Sequence, residues 1–338
     1  ARREGAWHWD LEFAPVFQQG GGFDLQVGNP PWVRPRWYED LVLAEIDPWW
    51  GITDRSSSAE QRRRRSQNLA ATGAQARYLL EVASSEGVGE ILGSPVVRAE
   101  LAGVHTNLYM TFMDTAWRNS ADEGITGLIH PESHFVDPNA GQLRRATFER
   151  LRRHWQFINE VFLFEDINHK TVFGIHVYGA SEAIRFAQAS YLFHPDTLDR
   201  SLGHDSNGES PGIQHAGGGW DLRPHSSRIV TIDVQVLTSW AQLFDEPGTP
   251  PAEARLLRPV TDADLEALTV LSNQPKRLAD HDYRWTTGWH EKSAKTDGII
   301  RWDSAVPGSW DEVILQGPHF SVANPFNKQP NENCKHNQ

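Results

Sequence analysis

The stretch Phe23-Asp24-Leu25-Gln26-Val27-Gly28-Asn29-Pro30-Pro31-Trp32 constrains this chain more than any other. Phe23, Leu25 and Val27 alternate with Asp24 and Gln26, which is the period of a short strand. Gly28 is expected to take a backbone conformation that a β-carbon would resist, and Pro30 and Pro31 stiffen the turn that follows. Trp32 closes that turn with a large flat ring. The pattern predicts a strand ending in a rigid loop that presents a carboxamide, a proline carbonyl and an aromatic face.

Such a loop suits an exocyclic amine on an aromatic base. That amine is a poor nucleophile because its lone pair is delocalised into the ring, and it has no easily removed proton. Two neutral acceptors, the Asn29 side-chain oxygen and the Pro30 main-chain carbonyl, would each take one N–H. They would localise the lone pair and aim it at an electrophilic methyl group, which is positioning and electrostatics rather than base catalysis. Trp32 offers a face to a base rotated out of a duplex, a stack worth about 1–3 kcal/mol.

Gly28-Asn29-Pro30-Pro31-Trp32 after an apolar strand resembles the Asn-Pro-Pro-aromatic motif of S-adenosylmethionine-dependent amino-methyltransferases. The likeness is closest to the N6-adenine DNA methylases of restriction–modification and phage-defence systems, although Trp stands where Tyr or Phe is commoner. The resemblance implies transfer of a methyl group from S-adenosylmethionine to the N6 amine of a flipped-out adenine in a specific sequence of double-stranded DNA. It assigns catalysis to Asn29, Pro30, Pro31 and Trp32, with Trp32 stacking on the base. A second aromatic that faces the base in the family matches Phe164. No metal is implied. The partners it implies are DNA, the methyl donor and other subunits of a restriction or defence system.

With 338 residues, 39% of them hydrophobic, the chain is long enough for about two domains and a substantial core. No apolar run reaches the ~20 residues of a membrane helix, and the N-terminus has no apolar signal region. One cysteine, Cys334, excludes a disulfide framework and a cysteine-based zinc site, and fits a reducing cytoplasm. The 15 histidines show no ligand spacing and read as solvated or core residues. A net charge of −12 runs against nucleic-acid binding, where a basic footprint is expected. DNA contact must then rest on local clusters. The candidates are Arg62-Arg63-Arg64-Arg65 and the group Arg144, Arg145, Arg150, Arg152 and Arg153; each reads alternatively as a solvated helix face.

Along the chain, residues 1–22 are aromatic, with Trp7-His8-Trp9, and end at Gly20-Gly21-Gly22. Residues 33–58 read as an irregular excursion, a natural lid or DNA-contacting element. Helices are expected over Ala59 to Val82 and Asn107 to Asn119, then a strand over Ile125 to Ile129 and an amphipathic basic helix over Leu143 to His154. Strands are expected over Phe157 to Phe164 and Val172 to Tyr178. This order matches the second half of a Rossmann-like class I methyltransferase sheet, closing in an antiparallel hairpin. The expected domains are therefore an α/β catalytic half over residues 1–180 and a mixed α+β target-recognition region over residues 181–338. Within the latter, 194–227 reads as loop, Ile229 to Val236 as a strand and Asp262 to Ser272 as a helix. Trp285, Trp289, Trp302 and Trp310 follow, and Asn324-Pro325-Phe326 weakly echoes the first motif.

The Gly-rich turn that binds S-adenosylmethionine in this class does not occur here. Gly87-Val88-Gly89 lies between helical patterns, Gly124-Ile125-Thr126-Gly127 leads into a strand, and Gly217-Gly218-Gly219 has no strand before it. In the family the cofactor half precedes the Asn-Pro-Pro strand. The expectation is a fragment that starts just before the catalytic motif, ends inside the recognition region, and is inactive alone. Two alternatives stay open: a protein-glutamine or ribosomal-RNA amino-methyltransferase, and a non-catalytic DNA-binding module of a defence protein.

Overall fold

A computed structural model describes residues 9–53, 57–276, 281–282, 290–299 and 308–309. Two compact units divide the chain between Pro275 and Lys276. In the second, the described residues form one short helix, α12 (Glu291–Thr296), whose first turn is capped by His290. Trp7, His8, Trp285, Trp289, Trp302, Trp310, Cys334 and the Asn324-Pro325-Phe326 echo lie outside the described residues. No described helix is long and apolar enough to cross a membrane.

The first unit is built on a six-stranded mixed sheet in the order β1-β2-β4-β3-β5-β6. Short helices α1 (Trp9–Glu12) and α2 (Ala14–Gly20) lead into β1 (Phe23–Gly28). Gly22 is required at that entry, because a Cβ there would lie 2.5–2.6 Å from the backbone of Asn119, Ser120 and Ala121. Gly28, by contrast, is an ordinary strand residue: it has no positive φ, and a Cβ would meet Leu128 at a normal 3.7 Å. The expected conformational role belongs to Gly22.

The excursion after the motif holds α3 (Glu39–Ala44) and α4 (Trp49–Ile52). The helix expected over Ala59 to Val82 is two, α5 (Ser58–Leu69) and α6 (Ala74–Gly93), broken where Gly73 adopts φ +78°. α7 (Leu108–Arg118) starts at Asn107, whose side chain accepts from the Tyr109 N–H, and it buries Tyr109, Met110 and Met113. β2 (Ser120–Pro131) runs parallel to β1 with Gly28 opposite Leu128.

α8 (Gly141–Arg150) stops four residues earlier than expected, because Leu151 opens β3 (Leu151–Ile158). The strand predicted over Phe157 to Phe164 thus lies six residues towards the N-terminus, where Trp155 and Phe157 alternate with His154 and Gln156. Phe162 takes a left-handed conformation and ends any extended run there. β4 (Val172–Tyr178) pairs antiparallel with both β2 and β3, forming the expected hairpin.

The sheet continues past residue 180. β5 (Arg185–Leu192) pairs parallel with β3, and β6 (Val230–Asp233) pairs antiparallel with β5. Between them, α9 (Pro195–Leu202) interrupts a segment that reads as loop. The strand expected over Ile229 to Val236 ends at Asp233, whose carboxylate accepts the N–H groups of Gln235 and Val236 and starts α10 (Val234–Phe244). α11 (Asp262–Ser272) begins at a Thr261–Asp264 capping box. A mixed sheet of this kind is compatible with a Rossmann-like methyltransferase fold.

Alternation puts different chemistry on the two sheet faces. One carries Leu128, Tyr178 and Phe186 into a core with Tyr109, Met113, Phe135 and Phe148. The other carries Trp155, Phe157, Phe173 and Ala189.

Candidate active site

β1 is the edge strand of the sheet, and its carboxyl end places Asn29 and Pro30 beside the end of β2. Asn29 is exposed and Pro30 is buried. The loop is clamped at two points beyond the prolines. The Trp32 indole N–H donates to the Ile129 carbonyl at 3.2 Å, and the Val33 carbonyl accepts the Leu108 N–H at 2.9 Å. The first clamp ties the motif to β2, 97 residues on, and the second to the start of α7, so the loop is held by elements distant in sequence.

A pocket of about 430 Å³ opens along this edge. Asn29, Pro30 and Pro31 form part of its wall, with Gln26, Phe112, Thr115 and Leu128 opposite and below. Gln26 is itself locked, its amide donating to the Ala116 carbonyl at 2.7 Å and to Ser120 at 2.7 Å. The wall is mostly apolar, so Asn29 is the exposed polar group at its rim.

The four motif residues do not share one surface. Trp32 packs with the opposite-face cluster, its ring 5.8 Å from Phe173 at 30° and 5.8 Å from Phe164 at 73°. The structure therefore brings Trp32 and Phe164 together, although Phe164 lies on a loop and not in a strand. The Phe164 loop is pinned by Asn159, whose side chain accepts the Phe164 N–H and donates to its carbonyl. Edge-to-face contact leaves no slot between the two rings. A base can stack on one exposed ring surface, while a sandwich between both requires one ring to move.

Most of the basic residues are engaged within the chain. Arg63 pairs with Glu60, Arg64 with Asp47 and Arg65 with Glu39. Arg144 is not on a solvated face: it is 3% exposed and donates to the carbonyls of Glu253, His134 and Asp137. Arg145 pairs with Glu253, Arg152 with Glu182, and Arg150 lies over Trp117.

A second constellation was invisible in the sequence. His130, Glu132, His134, His154 and His176 are all buried on the Tyr109 side of the sheet. The register explains the gathering: His154 on β3 stands directly opposite His176 on β4, and Leu128 and His130 on β2 face His176 and Gly174. Glu132 follows β2 and reaches back, its Oε1 accepting from His154 Nε2 at 2.5 Å and its Oε2 from Arg258 at 3.0 Å. Histidines 22 residues apart have no helical or turn periodicity; only the hairpin pairing, which β3's misplaced start concealed, could have revealed them.

Burial sets the charge states here. It pushes His130 down to about 4, and with the neighbouring imidazoles it holds His134 and His176 well below the usual histidine range. Burial also pushes the Glu132 carboxyl up, but His154 and Arg258 outweigh it and the net shift is downward. The Tyr109 hydroxyl is pushed up to about 12 by burial and stays neutral. The cluster thus sets the neutral rings of His130, His134 and His176 near one ionised carboxylate.

No family model matches the chain, and no curated protein matches it. Among solved structures it is similar to a type I restriction-modification system methyltransferase subunit from Streptococcus thermophilus, at 10% identity and a TM-score of 0.30, covering 57% of this chain and 34% of that one. The type I restriction enzyme EcoKI M protein gives 10% identity and 0.30, covering 73% and 66%. The ATP-dependent type ISP restriction-modification enzyme LlaBIII bound to DNA gives 16% and 0.26, covering 52% and 10%. In each case this chain spans less than two thirds of the neighbour's length.

Proposed function

We propose that this chain supplies the acceptor site of a DNA methyltransferase, which places a methyl group from S-adenosylmethionine on the N6 amine of an adenine flipped out of double-stranded DNA. One observation carries the proposal: the exposed Asn29 carboxamide stands with Pro30 at the rim of a mostly apolar pocket, at the carboxyl end of a strand, on a loop clamped at both Trp32 and Val33. The carboxamide oxygen and the Pro30 carbonyl accept the two amine hydrogens, so the nitrogen lone pair turns towards the donor methyl. Trp32 stacks on the base with its exposed surface, and Phe164 braces the Trp32 ring.

In the full-length protein, Asn29→Ala is expected to lower the rate of labelled methyl transfer to DNA on the order of 100-fold or more. DNA affinity should stay close to wild type, because phosphate contacts elsewhere supply most of it. Wild-type turnover by a folded Asn29→Ala protein would remove the assignment.

A further inference from the structure

We propose that Glu132, His154 and His176 form a site for one divalent metal ion, zinc by its ligand chemistry, which ties the three central strands of the sheet together. One donor atom from each of the three lies within 4.8 Å of the others, and all three side chains are buried. Two imidazoles and a carboxylate form a donor set that zinc takes readily.

The neighbouring rings are excluded by their own bonding. His130 Nδ1–H donates to the Pro131 carbonyl at 2.7 Å, and its Nε2 accepts from the Tyr178 hydroxyl at 2.9 Å, so both of its nitrogens are used. His134 Nδ1 is paired with the Tyr109 hydroxyl at 3.2 Å, and although its Nε2 is unbonded, His134 is not among the three residues whose donor atoms come together. His176 differs. It is 0% exposed, yet neither of its ring nitrogens forms a hydrogen bond. An imidazole in that state forfeits its water contacts and gains nothing in return, unless a lone pair meets an electrophile.

Gly174 lets the two donors meet over the β4 backbone. A Cβ at this position would fall against His176 Cε1, 2.7 Å from its Nε2 and 2.8 Å from Glu132 Oε1, so a larger residue would push the two donors apart. Gly174 stands opposite His130 on one side and Gln156 on the other, so this close approach is at the centre of the sheet. Arg258 on Glu132 Oε2 orients the carboxylate and leaves Oε1 for the ion, the support that ligating carboxylates ordinarily receive.

Donor atoms around a tetrahedral ion with bonds of ~2.1 Å stand about 3.4 Å apart. The His154–Glu132 contact at 2.5 Å therefore opens by about 1 Å on binding, and the His154 ring carries its hydrogen on Nδ1, which has no partner in this structure, leaving the Nε2 lone pair for the ion. A solvent oxygen completes the fourth position. The ion then bridges β4 to β3 and to the end of β2.

The full chain is folded in the presence of Zn2+, freed of loosely held metal by gel filtration and assayed for metal by mass spectrometry. About one zinc per chain is expected, falling at least tenfold in His176→Gln, His154→Gln and Gly174→Ala, the last retaining all three donors but forcing His176 and Glu132 apart. His204→Gln, remote from the cluster, should keep its zinc. Less than about a tenth of a zinc per folded wild-type chain, or equal zinc in folded His176→Gln, overturns the site. X-ray absorption on the wild type serves if the variants do not fold. A first shell of nitrogen and oxygen containing two imidazoles supports the site, and a sulfur ligand overturns it.

Discussion

β1 and β4 are strands of one sheet, and each presents polar groups essential to its surroundings, but under opposite physical conditions. β1 lies at the edge with Leu25 66% and Val27 80% exposed, and its polar group, Asn29, faces solvent at the end of a strand. β4 lies between two partners, and its polar group, His176, sees no water at all. At the edge a polar side chain costs nothing while it waits for a ligand, and the apolar residues beside it carry the unpaid burial. In the centre the apolar residues are settled and the polar ones carry the cost. A site that must receive a substrate belongs at the first kind of place. A site that fastens the fold belongs at the second.

The largest effect expected from this contrast lies at Glu132. Glu132→Ala strips Arg258 and His154 of their buried partner and should destabilise the first unit by about 3–5 kcal/mol in denaturant titration. A loss below about 1 kcal/mol would mean that the central cluster is not under the strain its burial implies. Trp32→Ala comes next. Half-buried against Phe173 and Phe164, the ring should contribute about 2 kcal/mol to stability, which a denaturant midpoint measures. No loss would show that the ring is held for a ligand and not by the fold.

A completed buried pair at Asp221 offers the internal reference. Burial pushes its carboxyl up, but Arg223 and the N–H groups of Gly212 and Arg223 outweigh it and hold the group well below the usual carboxylate range. With the folded value below the unfolded one, its contribution is fully present above about pH 4, declines below that, and is lost only as pH falls through the folded value, well below the usual carboxylate range. Asp221→Asn should therefore cost clearly more stability at about pH 6 than at about pH 2. Equal losses at both would assign the effect to packing. The smallest effect belongs to the edge: Val27→Ser should shift stability by no more than about 0.5 kcal/mol, since the side chain is already in water. A loss of 2 kcal/mol would show that the edge is covered in solution.

Residues that act through neighbours in sequence were legible, and those that act through pairing were not. β1, α7, β4 and α11 follow from alternation, an Asn cap and a Thr-x-x-Asp box, all signals within a dozen residues. β3 was displaced because basic residues in Arg150-Leu151-Arg152-Arg153 continue a helical charge pattern across a change of conformation. β6 was overrun because Asp233 ends a strand and caps a helix within a stretch whose polar–apolar alternation runs on to Val236. The place of the Asn29 loop, at the end of β1, could be read from the sequence, but its clamps to Ile129 and Leu108 could not. The histidine core could not, since its members come from three strands and one loop, and strand register is set by long-range contacts. Trp32 shows a third case: its identity was legible, but its ring's packing against Phe173 and Phe164 belongs to the fold.

The central claim is that an adenine amine is the group held at Asn29, and identification of the product tests it most directly. Full-length protein is incubated with isotopically labelled S-adenosylmethionine and double-stranded DNA, and the DNA is digested to nucleosides for mass spectrometry. The label is expected on N6-methyladenine with the wild-type protein and is expected to fall on the order of 100-fold or more with Asn29→Ala. Label on protein glutamine or on RNA with DNA unmodified, or N6-methyladenine formed equally by both proteins, would contradict it.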